Sequence, residues 1–296
     1  MKRENDPSAP KDAVFNWYPG HMAKALREIK QKLKLVDIVL EVRDARVPLA
    51  SGNRELGAGL GEKRKLIVLN KANLCDPGAM AAWSKWFAEQ GDPFLFVNCF
   101  DKPAMKKAVQ LARKIVEENR RACDPTYVTK KTKLKLMIVG LPNTGKSTII
   151  NQLAGRNATK VADKPGQTQV QQWITVDQDI ELLDTPGVMP PQIDREEHAL
   201  WLSAIHAIPD DIADEEDTAR FVLGYLLEKK GPELKDRFKL DSLELPVDEV
   251  LQRIAVVRGC LMQRGLPDYP RVYKLVLAEF RNGELGKACF GDPPKA

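Results

Sequence analysis

The sequence predicts an α/β protein: a doubly wound, mostly parallel sheet followed by a smaller helical region. Three observations predict it. Six short apolar, β-rich runs recur in the first 190 residues: VDIVLEV (36–42), KLIVLN (65–70), PFLFVN (93–98), LKLMIVG (134–140), QWITV (172–176) and IELLDT (180–185). Helical patterns such as Gly78 to Gln90 and Pro103 to Arg121 lie between most of them. Strands that read as continuous apolar runs and alternate with helices belong to parallel sheets covered on both faces. Third, the strand signal fades after GVMPPQID, and helical patterns take over.

The elements follow in order. Residues 1–13, charged and proline-containing, read as a flexible tail without the apolar run of a signal-peptide core. Pro19-Gly20 turns the chain into a helix from His21 to Leu33, where Met22, Leu26, Ile29 and Leu33 form an apolar stripe between basic residues. Sheet and helix then alternate to about residue 190, and the double proline at 190 and 191 marks the boundary, giving a first domain over 14–190. In the second domain, 191–296, helices are expected over Glu196 to Ala207, Asp214 to Lys230, Val247 to Gln263 and Pro270 to Asn282.

Composition excludes several classes. At 43% hydrophobic and 29% charged residues, a 296-residue chain can bury a substantial core and is not expected to be disordered. No run approaches the roughly 20 apolar residues that span a bilayer, so a cytoplasmic protein without membrane contact is expected. The five cysteines, Cys75, Cys99, Cys123, Cys260 and Cys289, lack C-x-x-C pairing and suggest reduced thiols rather than zinc or disulfides. A net charge of +5 is modest, but Lys130, Lys131, Lys133 and Lys135 crowd one stretch, and Asp210 to Asp217 form an acidic block. Such runs are ordinarily solvated faces, and a polyanionic partner is compatible with the basic one.

GLPNTGKS, Gly140 to Ser147, fits G-x-x-x-x-G-K-S between an apolar strand and the helical STIINQLAG. Glycines let backbone N–H groups turn inward around phosphates, and a helix N-terminus adds its positive dipole end. Pro142, Asn143, Thr144, Gly145, Lys146, Ser147 and Thr148 are therefore candidate nucleotide contacts. Lys146 is placed to reach the β- and γ-phosphates, and Ser147 to offer its hydroxyl to magnesium. In LLDTPG (182–187), Asp184 ends a strand and Gly187 follows, an arrangement in which the carboxylate holds the magnesium shell and the glycine N–H senses the γ-phosphate. Thr168 in KPGQT adds a second hydroxyl for magnesium. KLIVLNKAN ends a strand on Asn70, Lys71 and Asn73, close to an Asn-Lys-x-Asp guanine signature but seventy residues ahead of the phosphate loop.

NWYPGHMAKA (16–25), DARVP (44–48), NKAN (70–73), GLPNTGKSTIINQL (140–153), PGQT (165–168), LLDTPG (182–187) and RGCLMQRG (258–265), in this order, resemble the circularly permuted ribosome biogenesis GTPase A (RbgA/YlqF) family. The resemblance covers nearly the whole chain. It implies a circularly permuted phosphate-loop GTPase fold, GTP and GDP as ligands, magnesium, and potassium at Asn143. It also implies the large ribosomal subunit and ribosomal RNA as partners, with RNA contacted by residues 191–296, and it directs attention to His21 as a catalytic residue beside Lys146 and Gly187. A permuted order is physically admissible, because a doubly wound sheet collects loops from several strand ends into one crevice. A monomer is expected.

Asn73 departs from the family pattern. A carboxylate accepts hydrogen bonds from both guanine N1–H and the exocyclic amine, whereas an amide turns a donor towards a donor, at a cost of about 1–3 kcal/mol. Asn70, Lys71 and the backbone near Asn98 and Cys99 are expected to retain the guanine preference. Val188 stands where Ras-like GTPases carry a water-orienting glutamine, and an apolar side chain cannot polarise water. His21 either supplies that function from a helix start, where the dipole favours the neutral ring, or caps its helix. Asp44 and Arg46 either pair with one another or brace the site. The expected activity is a slow GTP hydrolase stimulated by ribosomal subunits and used as a switch. Competing readings are a GTP/GDP-binding scaffold with negligible turnover and a phosphate-loop ATPase or kinase.

Overall fold

The computed structural model describes residues 20–53, 63–128, 132–155, 172–190, 193, 195–210, 212–229 and 231–295. The first part alternates: α1 (Gly20–Lys32), β1 (Ile38–Asp44), β2 (Lys65–Asn70), α2 (Pro77–Gln90), β3 (Phe94–Phe96), α3 (Lys102–Cys123), β4 (Leu134–Gly140), α4 (Lys146–Ala154), β5 (Gln172–Asp177) and β6 (Ile180–Asp184). The strands form one sheet in the order β3-β2-β1-β4-β6-β5, parallel throughout except for the β5–β6 pair. From β1 the chain winds outward to β3, returns to β4 beside β1, and winds the other way. The switch point therefore lies between β1 and β4, where the carboxyl ends of strands open the ligand crevice of such sheets.

Both faces are covered, as the apolar strand runs imply: all seven residues of β1 are buried. On one face, Met105, Ala112 and Val116 of α3 and Ile149 and Ile150 of α4 pack on Leu40, Leu66, Leu136 and Ile138. The opposite face takes α1 through Met22, Ala25, Leu26 and Ile29, and α2 through Trp83 and Phe87. The alternation is legible in β4, where Leu136 and Ile138 face α3 while Met137 and Val139 face α1.

The helical part comprises α5 (Glu196–Ala204), α6 (Glu215–Glu228), α7 (Pro232–Phe238), α8 (Val247–Val257) and α9 (Tyr269–Arg281). Its core is continuous with the α1 face of the sheet, since Val188, Met189 and Ile193 pack with Leu202, Val222, Leu251 and Phe280. The acidic block explains itself locally. Asp214 caps α6 by accepting from the Glu216 and Asp217 amides, and Glu215, Glu216 and Asp217 sit at the positive end of the helix dipole.

Two helices end earlier than their periodicity predicts. The expected helix to Gln263 stops at Val257, because Gly259 takes a left-handed conformation (φ 64°). A tight hairpin follows, closed by the Met262 amide on the Leu266 carbonyl. The helix expected to reach Ala207 stops at Ala204, with His206 left-handed at φ 63°. The seven-residue α7, unforeseen, starts on Pro232 and buries Leu234 and Phe238.

Candidate functional site

Asp44, Asn70, Gly140 and Asp184 end four neighbouring strands, so their loops converge at one edge of the sheet. The phosphate loop leaves β4 with positive φ at Gly140, Asn143 and Gly145, and α4 begins at Lys146. Gly145 is required sterically: a Cβ there would lie 2.2 Å from Asn70 Nδ2. The buried Lys146 ammonium donates to the Leu141 carbonyl (2.8 Å), curling over its own loop, and the Thr144 hydroxyl donates to the same carbonyl (3.0 Å). Burial pulls the Lys146 pKa down to about 8, against the attraction of Asp184. Gly187 lies against this loop, its would-be Cβ 2.8 Å from the Pro142 nitrogen, and the Val188 amide donates to the Gly140 carbonyl (3.2 Å). Ser147 and Thr148 follow in the first turn of α4, both half-buried.

The segment that precedes this loop by seventy residues is bonded directly to it. Asn70, buried at the end of β2, donates to the Thr144 carbonyl (3.0 Å) and accepts from the Cys99 amide (3.1 Å). Lys71, left-handed at φ 60°, donates to the Asn143 carbonyl (2.7 Å) and pairs with Asp44 (3.0 Å). Burial lowers its pKa, and Asp44 works against that. Asp44 also takes a two-pronged guanidinium bond from Arg46 (3.0 and 2.9 Å). Burial alone would raise the Asp44 pKa, but the charges of Arg46 and Lys71 hold it well below the usual carboxylate range. Asp44 and Arg46 thus both pair and brace: Arg46 reaches the C-terminal part through its carbonyl, which accepts from the Phe290 amide (2.7 Å), and lies over the Phe280 ring (5.5 Å). Asn98 fixes the adjoining turn by accepting from the Phe100 amide (3.2 Å), while burial raises the Cys99 thiol pKa. Asn73 is exposed one short turn beyond Lys71.

Asp184 meets the requirement for a magnesium-shell carboxylate. It is fully buried, and neither oxygen has a hydrogen-bond partner among the described residues. Burial raises its pKa to about 6, with Lys146 opposing; the Thr185 amide lowers it slightly without a well-formed bond to either oxygen. A buried carboxylate with no partner is costly unless a cation completes it. Among the described residues no three His, Cys, Asp or Glu side chains gather around a common point. That fits magnesium, which is usually held by one or two protein oxygens together with phosphates and water. Thr168 lies outside the described residues. His21 sits in the first turn of α1, and its side chain is likewise outside them. Val188 is only 1% exposed and belongs to the α1-side core, so its side chain does not face the crevice.

Two contacts had no sequence signal. The Asn143 side-chain amide donates to the His206 carbonyl (2.8 Å), tying the phosphate loop to the turn after α5. The Asn53 amide donates to the Val188 carbonyl (3.0 Å) across 135 residues.

A phosphate loop on the central strand, an Asn-Lys pair bonded to it from an earlier strand and a buried aspartate at the neighbouring strand end define a circularly permuted phosphate-loop GTPase. A family model described as 50S ribosome-binding GTPase matches residues 135–237, beginning within β4 and leaving β1, β2 and β3 outside it. Ribosome biogenesis GTPase A of Priestia megaterium is 38% identical over 283 residues, covering 96% of this chain and 98% of that one. Mitochondrial ribosome-associated GTPase 1 of Bos taurus is 32% identical over 96% of this chain and 90% of its own. Among solved structures, GNP-bound YlqF from T. maritima superposes with a TM-score of 0.65 at 27% identity, covering 92% of this chain and all of that one. The chain belongs to the ribosome biogenesis GTPase A family.

Proposed function

We propose that the chain binds GTP in this crevice, hydrolyses it to GDP and phosphate, and uses the change as a switch in assembly of the large ribosomal subunit. The observation that carries the reading is the pair of bonds from Asn70 to the Thr144 carbonyl and from Lys71 to the Asn143 carbonyl, which join base-reading and phosphate loops into one site. GTPases of this family generally use magnesium, here assigned to Ser147, Thr168 and Asp184. When bound, it neutralises charge on the β- and γ-phosphate oxygens. Lys146 exchanges the Leu141 carbonyl for those phosphates, and the loop amides from Pro142 to Thr148 cradle them. The Gly187 amide senses the γ-phosphate. Potassium is assigned to the Asn143 amide oxygen, the amide nitrogen being anchored on His206. His21 is assigned to orient the attacking water, since Val188 is turned into the core. Residues 14–190 form the GTPase domain and 191–296 the helical one, in a monomeric cytoplasmic protein.

Competition binding with GTP, ATP and XTP, paired with sedimentation against large subunits in a non-hydrolysable GTP analogue, tests this reading. GTP is expected to outcompete ATP, and the chain to travel with the subunits only in the analogue. Equal affinity for ATP would remove the guanine assignment. The burial of Val188 favours one second reading, a GTP/GDP-binding scaffold with negligible turnover. Hydrolysis that subunits leave unstimulated would support it.

A further inference from the structure

Asn143 stands left-handed in the phosphate loop (φ 57°) and is held from both its backbone and its side chain. Lys71 donates to its carbonyl (2.7 Å), and its own side-chain amide donates to the His206 carbonyl (2.8 Å). The second bond depends on how the turn after α5 is built. His206 is itself left-handed (φ 63°), a conformation that costs a non-glycine residue energy unless its surroundings impose it.

Much of that surrounding is one side chain from a distant helix. Arg281, the last residue of α9, donates through Nε to the Ala204 carbonyl (3.1 Å) and through Nη2 to the Ser203 carbonyl (2.9 Å). These carbonyls close the last turn of α5, where the negative end of the helix dipole favours a cation. The same guanidinium forks onto both carboxylate oxygens of Asp210 (2.9 and 2.7 Å), and Asp210 lies 3.5 Å from His206 Nε2. The Ser203 carbonyl also accepts from the His206 amide (2.9 Å), so the turn is clamped on both sides of His206. The preceding residue, Phe280, lies under Arg46 (5.5 Å), whose partner Asp44 pairs with Lys71. The end of α9 therefore reaches Asn143 by two routes, one to its side chain and one to its carbonyl.

We propose that Arg281 is a positioning residue for the nucleotide site: through the His206 turn it fixes the Asn143 side chain, so that the helical part sets how tightly the phosphate loop holds nucleotide. The proposal rests on nucleotide binding in this crevice and names the means by which the helical part regulates it. Such coupling is reciprocal, and bound nucleotide stabilises the turn by the same free energy with which the turn stabilises bound nucleotide.

The test is a double-mutant cycle on GDP affinity, measured by calorimetry with the full chain. Arg281→Gln is expected to weaken GDP binding by about 3- to 10-fold, the range for one neutral hydrogen bond. Asn143→Gly keeps the left-handed backbone and removes the side chain, and should weaken binding by a similar factor. In the Asn143→Gly background, Arg281→Gln should add less than about twofold, because the bond it acts through is already gone. Arg220→Gln, which breaks the pairs with Glu216 and Asp248 away from α9, should leave GDP affinity unchanged, whereas a general loosening of the helical part would lower it. A second measurement needs no Arg281 variant to fold: GDP should slow amide exchange of His206 and Ala207 in the wild type and not in Asn143→Gly. Wild-type GDP affinity in Arg281→Gln, equal losses in both backgrounds, or equal protection of the turn with and without the Asn143 side chain overturns the proposal. A wild-type chain that binds no guanine nucleotide sinks the nucleotide reading and this inference with it.

Discussion

Replacing Asp184 by Asn should stabilise the nucleotide-free protein in the absence of divalent cations. The folded pKa of Asp184 is raised from 3.8 to about 6, mainly by burial. The folded state therefore holds the proton more tightly than the unfolded chain does. Stability from this group is fully present below pH about 4 and is lost as pH rises through about 6. At neutral pH the ionised carboxylate costs up to about 3 kcal/mol, at about 1.4 kcal/mol per pKa unit. That shift already contains the attraction of buried Lys146, so a net gain of up to about 3 kcal/mol is expected at pH 7.5. Urea unfolding in EDTA between pH 4 and 8 reads this directly. The Asn variant should be the more stable at pH 7.5, with the two curves converging near pH 4, while magnesium-dependent GTP binding is weakened. An Asn variant that is less stable than the wild type at pH 7.5 would refute the argument that Asp184 is a strained carboxylate held for a cation.

The other perturbations probe how the site is joined. Asn70→Ala leaves the Thr144 carbonyl and Cys99 amide unpaired in the interior, so a loss of roughly 2–6 kcal/mol in urea unfolding is expected, together with weaker GDP binding; a loss below about 1 kcal/mol would show that the loops are held by something else. Asn73→Asp should tighten GDP by about 5- to 150-fold by calorimetry and reduce tolerance of xanthine nucleotides; an unchanged GDP affinity would remove Asn73 from base recognition. His21→Ala should leave GTP and GDP affinities intact and lower subunit-stimulated single-turnover hydrolysis by roughly 10²–10⁴-fold; full stimulated turnover would return His21 to a helix-start residue.

What was legible in the sequence was what local chemistry encodes. Glycines that must adopt positive φ, a lysine and a serine at fixed offsets, and an aspartate closing an apolar strand are all written within a few residues, and each stands at the shared edge of the sheet. The permuted order was readable because the motifs keep their identities when their order changes. Exchange between distant parts of the chain was not readable. The His206 carbonyl that holds Asn143 is a backbone group, which no side-chain pattern announces, and the Asn53 bond to the Val188 carbonyl depends on the packing of the whole α1 face. Periodicity overran at Val257, where apolar spacing continued through Cys260 and Leu261 but Gly259 had already turned the chain. It missed α7 because a helix of two turns is held by burying Leu234 and Phe238, not by its own seven residues.

The central claim is that segments far apart in the chain build one GTP-hydrolysing site that responds to the large ribosomal subunit. Single-turnover hydrolysis by the full chain, with magnesium and with GTP or ATP, in the presence and absence of purified large subunits, tests it most directly. Slow GTP hydrolysis by the chain alone, marked acceleration by large subunits and little turnover of ATP in either case are expected. GTP hydrolysis that large subunits leave unchanged, or ATP turned over as readily as GTP, would contradict it.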